Sequence, residues 1–279
     1  MKILIAYDGT PGARAVFLDL KRAALPPDAE AHVFAVSTAG RVPSARALLL
    51  DEARLLAEAG AGHTQADFPS WKVTSSVVEG SPATAIVEAA ERTGADLIVV
   101  GTRGLNHAEK AILGSVAREV VTNARTSVRV VRIPATARAD VPRVLLGFDA
   151  SPGAEDALAE VCRRPWPKGT EVRALAARAA PQTGRGKVVG TPDEPSHADV
   201  DAALDDATSR LAKAGLTASS AVRVGAGRRA LLDEASVWAP DAIFVGGRRL
   251  QRLRRFLFGS VAGSVADDAP CTVEVVRPR

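Results

Sequence analysis

Cysteine is scarce in this 279-residue chain, which carries only Cys162 and Cys271. Two thiols cannot form a disulfide framework, so a reducing compartment and a cytoplasmic protein are expected. Aromatic residues make up only 4% of the sequence, which leaves little for a base-stacking platform. No apolar run approaches the length of a membrane span. The first such run, Ile3 to Tyr7, stops at Asp8 and is too short for a signal-peptide core. The four histidines, His32, His63, His107 and His197, lack metal-ligand spacing, so no metal site is expected on side chains alone. The phosphate-loop pattern Gly-x4-Gly-Lys-Ser/Thr does not occur, and no Ser-His-Asp or Cys-His order stands out. The net charge of +4, from 36 basic and 32 acidic residues, suits anionic ligands but does not argue for nucleic acid.

What the chain does have is an internal repeat. Lys2-Ile-Leu-Ile-Ala-Tyr-Asp8-Gly-Thr-Pro-Gly12 returns as Arg143-Val-Leu-Leu-Gly-Phe-Asp149-Ala-Ser-Pro-Gly153, 141 positions later. Ala95–Gly101 returns as Pro240–Gly246, Leu113–Ala117 as Phe258–Ala262, and Ser127–Arg132 as Thr272–Arg277, all 145 positions later. Four blocks in one order, with four extra residues in the second copy, indicate two domains of one kind. Residues 1–133 form the first, 143–279 the second. Residues 134–142, bracketed by Pro134 and Pro142 and without apolar periodicity, read as a linker.

Within the first copy, Ile3–Tyr7, His32–Ser37, Val73–Val78, Leu97–Val100 and Val128–Ile133 are short, β-branched and nearly uniformly apolar, as buried parallel strands are. Amphipathic stretches alternate with them. Ala45–Ala59 sets Leu48, Leu49, Leu55 and Leu56 at helical spacing, and Pro82–Thr93 and Ser115–Ala124 behave likewise. Thr10-Pro11, Ser81-Pro82 and Ser151-Pro152 mark helix starts, a hydroxyl cap before a first-turn proline. The alternation predicts two tandem doubly wound α/β domains, each a parallel sheet with helices on both faces. The last strand of each copy, Val128–Ile133 and Val273–Val276, would lie at a sheet edge open to pairing.

Such sheets bind ligands beyond the carboxyl ends of the strands, where the winding reverses. Asp8 follows the first strand, Gly101-Thr-Arg-Gly104 follows the fourth, and Gly114-Ser115 opens the next helix. Glycines at 101 and 104 would let the backbone approach a ligand. Gly114 and Ser115 would offer N–H groups at a helix N-terminus, where the dipole favours an anion. A glycine turn followed by a Gly-Ser helix cap would account for the same residues with no ligand at all.

The pattern Gly101-x2-Gly104-x9-Gly114-Ser115, with Asp8 closing the first strand, resembles the nucleotide signature of the universal stress protein family, in its ATP-binding branch. The resemblance runs nearly end to end in both halves. It implies a five-stranded parallel α/β fold, Rossmann-like and of the adenine nucleotide alpha hydrolase-like kind, in each copy. It further implies a stress-response protein that binds ATP with Mg²⁺. Ala6, Tyr7 and Asp8 would face adenosine, and Val36 would contact adenine through its backbone. Gly101, Gly104, Gly114, Ser115 and Val116 would hold ribose and phosphates. The two copies would pack through their last strands as a pseudo-dimer, with a homodimer of whole chains as a further possibility.

The second copy keeps Asp149, Gly246, Gly259, Ser260 and Val261, but Arg249 stands where the first has Gly104. Its side chain would either block backbone approach to a phosphate or bind the phosphate itself. The loop continues as Arg248-Arg249-Leu-Gln-Arg252-Leu-Arg254-Arg255, which raises a polyanion-binding alternative without aromatics to support nucleic acid. Arg178–Ser196, rich in glycine, proline and polar residues, reads as a loop. With His107 read as a solvated loop residue, no dedicated base or arginine finger is evident. A nucleotide-responsive binding protein is therefore the first expectation and a slow ATPase the second.

Overall fold

The computed structural model describes residues 1–38, 45–102, 113–132, 141–178, 197–247 and 260–278. The first half runs β1 (Lys2–Ala6), α1 (Pro11–Leu20), β2 (Glu30–Ser37), α2 (Arg46–Asp67), β3 (Lys72–Glu79), α3 (Pro82–Thr93), β4 (Leu97–Gly101), α4 (Ser115–Asn123) and β5 (Ser127–Val131). The second repeats it as β6 (Arg143–Gly147), α5 (Pro152–Arg163), β7 (Glu171–Arg178), α6 (His197–Lys213), β8 (Thr217–Val224), α7 (Gly227–Trp238), β9 (Ala242–Gly246), α8 (Ser260–Asp268) and β10 (Thr272–Val276).

These strands form a single sheet ordered β3-β2-β1-β4-β5-β10-β9-β6-β7-β8. Each half is parallel throughout and doubly wound, as the alternating pattern predicts. The halves meet where β5 and β10 run antiparallel, so the two edge-strand candidates pair with each other. One face of the sheet carries α3, α4, α7 and α8. Their apolar sides share a single core with Val128 and Val130 of β5 and Val273 and Val275 of β10. The opposite face carries α1, α2, α5 and α6 over separate cores, around Ile3, Ile5 and Val99 in the first half and Val144, Leu146 and Phe244 in the second. Between those two cores the seam is ionic.

Local chemistry explains the helix starts. Thr10 Oγ1 accepts from Ala13 N at 3.3 Å, Ser151 Oγ accepts from Ala154 N at 3.3 Å, and a proline opens each helix. Gly94 ends α3 in the left-handed conformation, with φ of 62°.

Two sequence readings need correction. The apolar face assigned to α2 is buried only in part: Leu48 and Leu55 are 71% and 66% exposed and Leu49 and Leu56 are half-buried, Leu56 against the core, while Ala53, Ala57, Gly60 and Thr64 are buried. The helix lies on the sheet through small residues, and Gly60 leaves just enough room for the Tyr7 ring. Arg178, read as the start of a loop, is the last residue of β7, opposite Val224, and its guanidinium pairs with Asp201. Ile133 and residues 134–140 of the 134–142 linker, residues 179–196 and the arginine-rich stretch 248–255 lie outside the described residues.

Candidate functional site

At the carboxyl end of β1 the chain leaves the sheet at Tyr7, whose N–H donates to Phe34 O. Asp8 follows, exposed, and its Oδ1 accepts from Thr10 N at 3.1 Å and Thr10 Oγ1 at 2.6 Å. One carboxylate oxygen thus fixes the turn into α1. Asp149 does the same for Ser151 N at 3.1 Å.

Gly12 opens α1 so close to β4 that a Cβ there would overlap the Thr102 carbonyl oxygen, and a Cβ on Gly101 would overlap the Gly12 carbonyl. Gly246 and Gly153 repeat the arrangement in the second half. Gly101 and Gly246 are therefore demanded by helix packing against the strand. Gly101 thus has a packing role beside its place at the cavity. The packing holds the N-terminus of α1 against the end of β4 and shapes the floor of the site.

Gly114 precedes α4 with φ of −63° and ψ of 154°, and no side chain caps that helix. Its first N–H groups are those a helix leaves without an internal partner. Ser115 is exposed at the first turn.

These elements enclose a cavity of about 250 Å³. Ala6, Tyr7, Asp8, Val36, Gly101, Gly114 and Val116 all border it. The Tyr7 ring does not point into it, because it packs on Phe17 with centroids 5.3 Å apart and the residue is 5% exposed. Only the Tyr7 main chain is available there. Gly104, Arg103 and His107 lie outside the described residues. The sequence reading missed Phe34, Thr38, Pro82, Ile86 and Thr102, which line the wall together with Thr10, Ala13, Val100 and Ala117. Strand alternation could have supplied Phe34, two residues before Val36, and the Ser81-Pro82 helix start could have supplied Pro82 and Ile86. Of the histidines, His32 is held by Thr74 and Ser76 hydroxyls at 2.8 Å each and His63 packs beside Phe17, so neither borders the cavity. Burial, and then the charge of Arg92, lower the His32 pKa from its ordinary value.

A second cavity, of about 260 Å³, occupies the same place in the second half. Asp149, Gly246 and Val261 border it, while Arg249 and Gly259 lie outside the described residues and Ser260 begins α8. Its walls are smaller: Gly147, Ala177, Gly227 and Gly247 stand where the first has Ala6, Val36, Pro82 and Thr102.

The sequence profile of the universal stress protein family matches residues 1–132 and again 141–277. The chain belongs to the universal stress protein family. Among relatives of this stress protein, Universal stress protein MJ0531 of Methanocaldococcus jannaschii is 49% identical over 63 residues, a stretch covering 23% of this chain and 37% of the relative. The match therefore spans well under half of that protein. A universal stress protein from Archaeoglobus fulgidus superposes with a TM-score of 0.74 at 19% identity, over 99% of this chain and 98% of the other. A functionally unknown protein, PA1789 of Pseudomonas aeruginosa, superposes with a TM-score of 0.60 at 17% identity, over 99% and 92%. At such identities the superpositions speak for the tandem stress-protein fold alone. No helix among the described residues is long and apolar enough to cross a membrane.

Proposed function

We propose that the first half binds ATP, carried with Mg²⁺, and that nucleotide occupancy sets the state or partners of this universal stress protein in a regulatory, stress-response role. The observation that carries the reading is one cavity lined by two chemically different sets of groups. Phe34, Val36, Pro82 and Ile86 give it an apolar set suited to a purine. Gly114 and the uncapped start of α4 give it an anion-favouring set. Ala6, Tyr7 and Asp8 would border adenosine, Val36 adenine, and Gly101, Gly114, Ser115 and Val116 the ribose and phosphates, with Gly104 completing the loop. Bound ATP would supply a polyphosphate, and the cation would ride on it. Among the described residues no cluster of three or more His, Cys, Asp or Glu forms a metal site of its own. Asp8 is the carboxylate at the cavity, and its Oδ1 is already committed to Thr10. Any ATP hydrolysis should accordingly be slow.

Mass spectrometry of ligand released from the purified chain is expected to show an adenine nucleotide. Calorimetric titration with ATP and Mg²⁺ is expected to show binding. A chain that releases none and takes up none at millimolar ATP would end the proposal.

The second half, residues 143–279 under the proposed division at a 134–142 linker, retains the cavity but has Arg249 in place of Gly104. One ATP per chain, or two sites of clearly unequal affinity, is expected. Arg249→Gly should then strengthen the weaker site, because a Cβ and long side chain at that position obstruct backbone approach. Weaker binding in Arg249→Gly would instead make the guanidinium a working phosphate ligand.

A further inference from the structure

The joint between the halves is symmetric in backbone and asymmetric in chemistry. Across it Val130 faces Val273, Arg129 faces Glu274 and Val128 faces Val275. The repeat gives Arg129 and Glu274 the same place in the fold, 145 positions apart. The local twofold axis therefore passes through this pair, and each residue faces its own counterpart. Were two copies of one half joined this way, Arg129 would meet a second Arg129, or Glu274 a second Glu274.

The pair is fully buried, with side chains 2% and 1% exposed, and Arg129 Nη1 donates to Glu274 Oε2 at 2.9 Å. Charges of alternating sign surround it. Arg129 also donates to Asp19 of α1, from Nε at 2.5 Å and Nη2 at 3.2 Å, while Arg164, just beyond α5, donates to Glu274 and to Glu160. The Thr272 hydroxyl donates to Asp19 at 2.7 Å. Burial opposes the charged form of Arg129, but Asp19 and Glu274 more than offset it and raise the pKa above its ordinary value.

A second pair of counterparts shows the same asymmetry. Ala23 and Arg164 correspond, 141 positions apart, and they meet: Arg164 Nη1 donates to the Ala23 carbonyl at 2.9 Å. Two arginines would crowd this space, and two alanines would leave it empty. Arg132 and Arg277, by contrast, are identical in both halves. Arg132 reaches the Ala266 and Asp267 carbonyls at the end of α8, and Arg277 reaches the Val121 carbonyl in α4 at 2.8 Å. Those contacts would serve any pairing of halves.

We infer that the joint is coded for unlike halves, so that the last strand of each half fits the other half and rejects a second copy of itself. Each central charge already has a partner in its own half, Asp19 for Arg129 and Arg164 for Glu274. Discrimination therefore lies in the direct contact. Like charges in direct opposition destabilise a strand pair, and exclusion of water deepens the penalty. Covalent connection of the halves adds a high effective concentration, so the chain closes on itself. A dimer of whole chains must then use a surface other than β5 and β10.

Two charge inversions in the full chain test this. Arg129→Glu sets two carboxylates face to face, and Glu274→Arg sets two guanidinium groups face to face. Each alone is expected to lower the Tm by roughly 10 °C. Warmed together and cooled, the two variants can exchange halves. The exchanged dimer has one wild-type joint and one with the pair inverted but complementary. Light scattering and native mass spectrometry should show a dimer containing one chain of each variant, absent from either variant alone. Folded variants that stay monomeric on mixing, or a single variant that dimerises as readily with itself, would overturn the inference. Should an inversion prevent folding, Arg129→Met, Glu274→Met and the double variant provide a thermodynamic cycle. A double variant losing clearly less Tm than the two single losses combined supports the direct contact. Additive losses refute it.

Discussion

Replacing Gly114 with leucine is expected to weaken ATP binding by the first half at least about 100-fold, a loss of about 3 kcal/mol, while the chain stays folded. The reason is the conformation of the site. Gly114 has φ of −63° and ψ of 154°, extended backbone that any L-residue adopts, so leucine introduces no strain there. The residue borders the cavity where α4 begins, so a leucine side chain would occupy part of its roughly 250 Å³ and cover the uncapped N–H groups. Helix capping changes little, because glycine and leucine at that position differ by about 1 kcal/mol, worth a few degrees of Tm in a protein of this size. Calorimetric titration alongside thermal unfolding makes the measurement. An affinity within a few-fold of wild type in a folded variant would remove the start of α4 from the proposed site.

A large effect on stability should come from the smallest substitution. Gly12→Ala places a methyl group on the Thr102 carbonyl oxygen, a backbone atom that no rotamer change can move aside. To accept it, α1 must shift off β4, and a cost of about 4 kcal/mol or more, roughly 10 °C in Tm, is expected. Gly153→Ala should cost less, because its Cβ would lie 2.9 Å from Gly247 O, a milder overlap with backbone than the one at Gly12. Gly62→Ala is the control. It sits within α2, and a methyl group there would meet nothing within 4 Å, so removing glycine's conformational freedom should stabilise by up to about 1 kcal/mol. Thermal melts of the three variants give the order. A Gly12→Ala protein that melts with the wild type would mean that the α1–β4 approach is looser than described.

Much of this architecture is written in the repeat. Three of the four matched blocks mark a strand in each half, β1 and β6, β4 and β9, β5 and β10, because buried parallel strands must be short and apolar, and the fourth marks the start of α4 and α8. The strand-end rule then brings Asp8, Gly101 and Gly114 to one place. The reading faltered where one residue type serves two purposes. Leucine at helical spacing usually marks a buried face, yet α2 leaves Leu48 and Leu55 exposed and buries alanine and glycine most deeply, because a helix close to the sheet has little room for larger side chains. Glycine after a strand suggests a ligand loop, and Gly101 does border the cavity, but the pattern does not show that Gly12 also requires it across the α1–β4 contact. Arg129 and Glu274 interrupt otherwise apolar strands, and nothing in either strand alone shows that they face each other. That depends on the antiparallel register, a relation between residues 145 positions apart. The wall residues Phe34, Pro82 and Ile86 were hidden for a related reason: they look like ordinary core until the sheet ends beneath them.

The antiparallel meeting of β5 and β10 also fixes where the two cavities lie. Because strand direction reverses at the joint, the carboxyl ends of the first half's strands emerge along one margin of the shared sheet and those of the second half along the other. The two cavities sit on those opposite margins. A protein gripping the rim of one leaves the rim of the other uncovered, and no single compact ligand can bridge them. Under the proposed nucleotide reading, a partner that senses one cavity would therefore have to approach from a different side than a partner that senses the other.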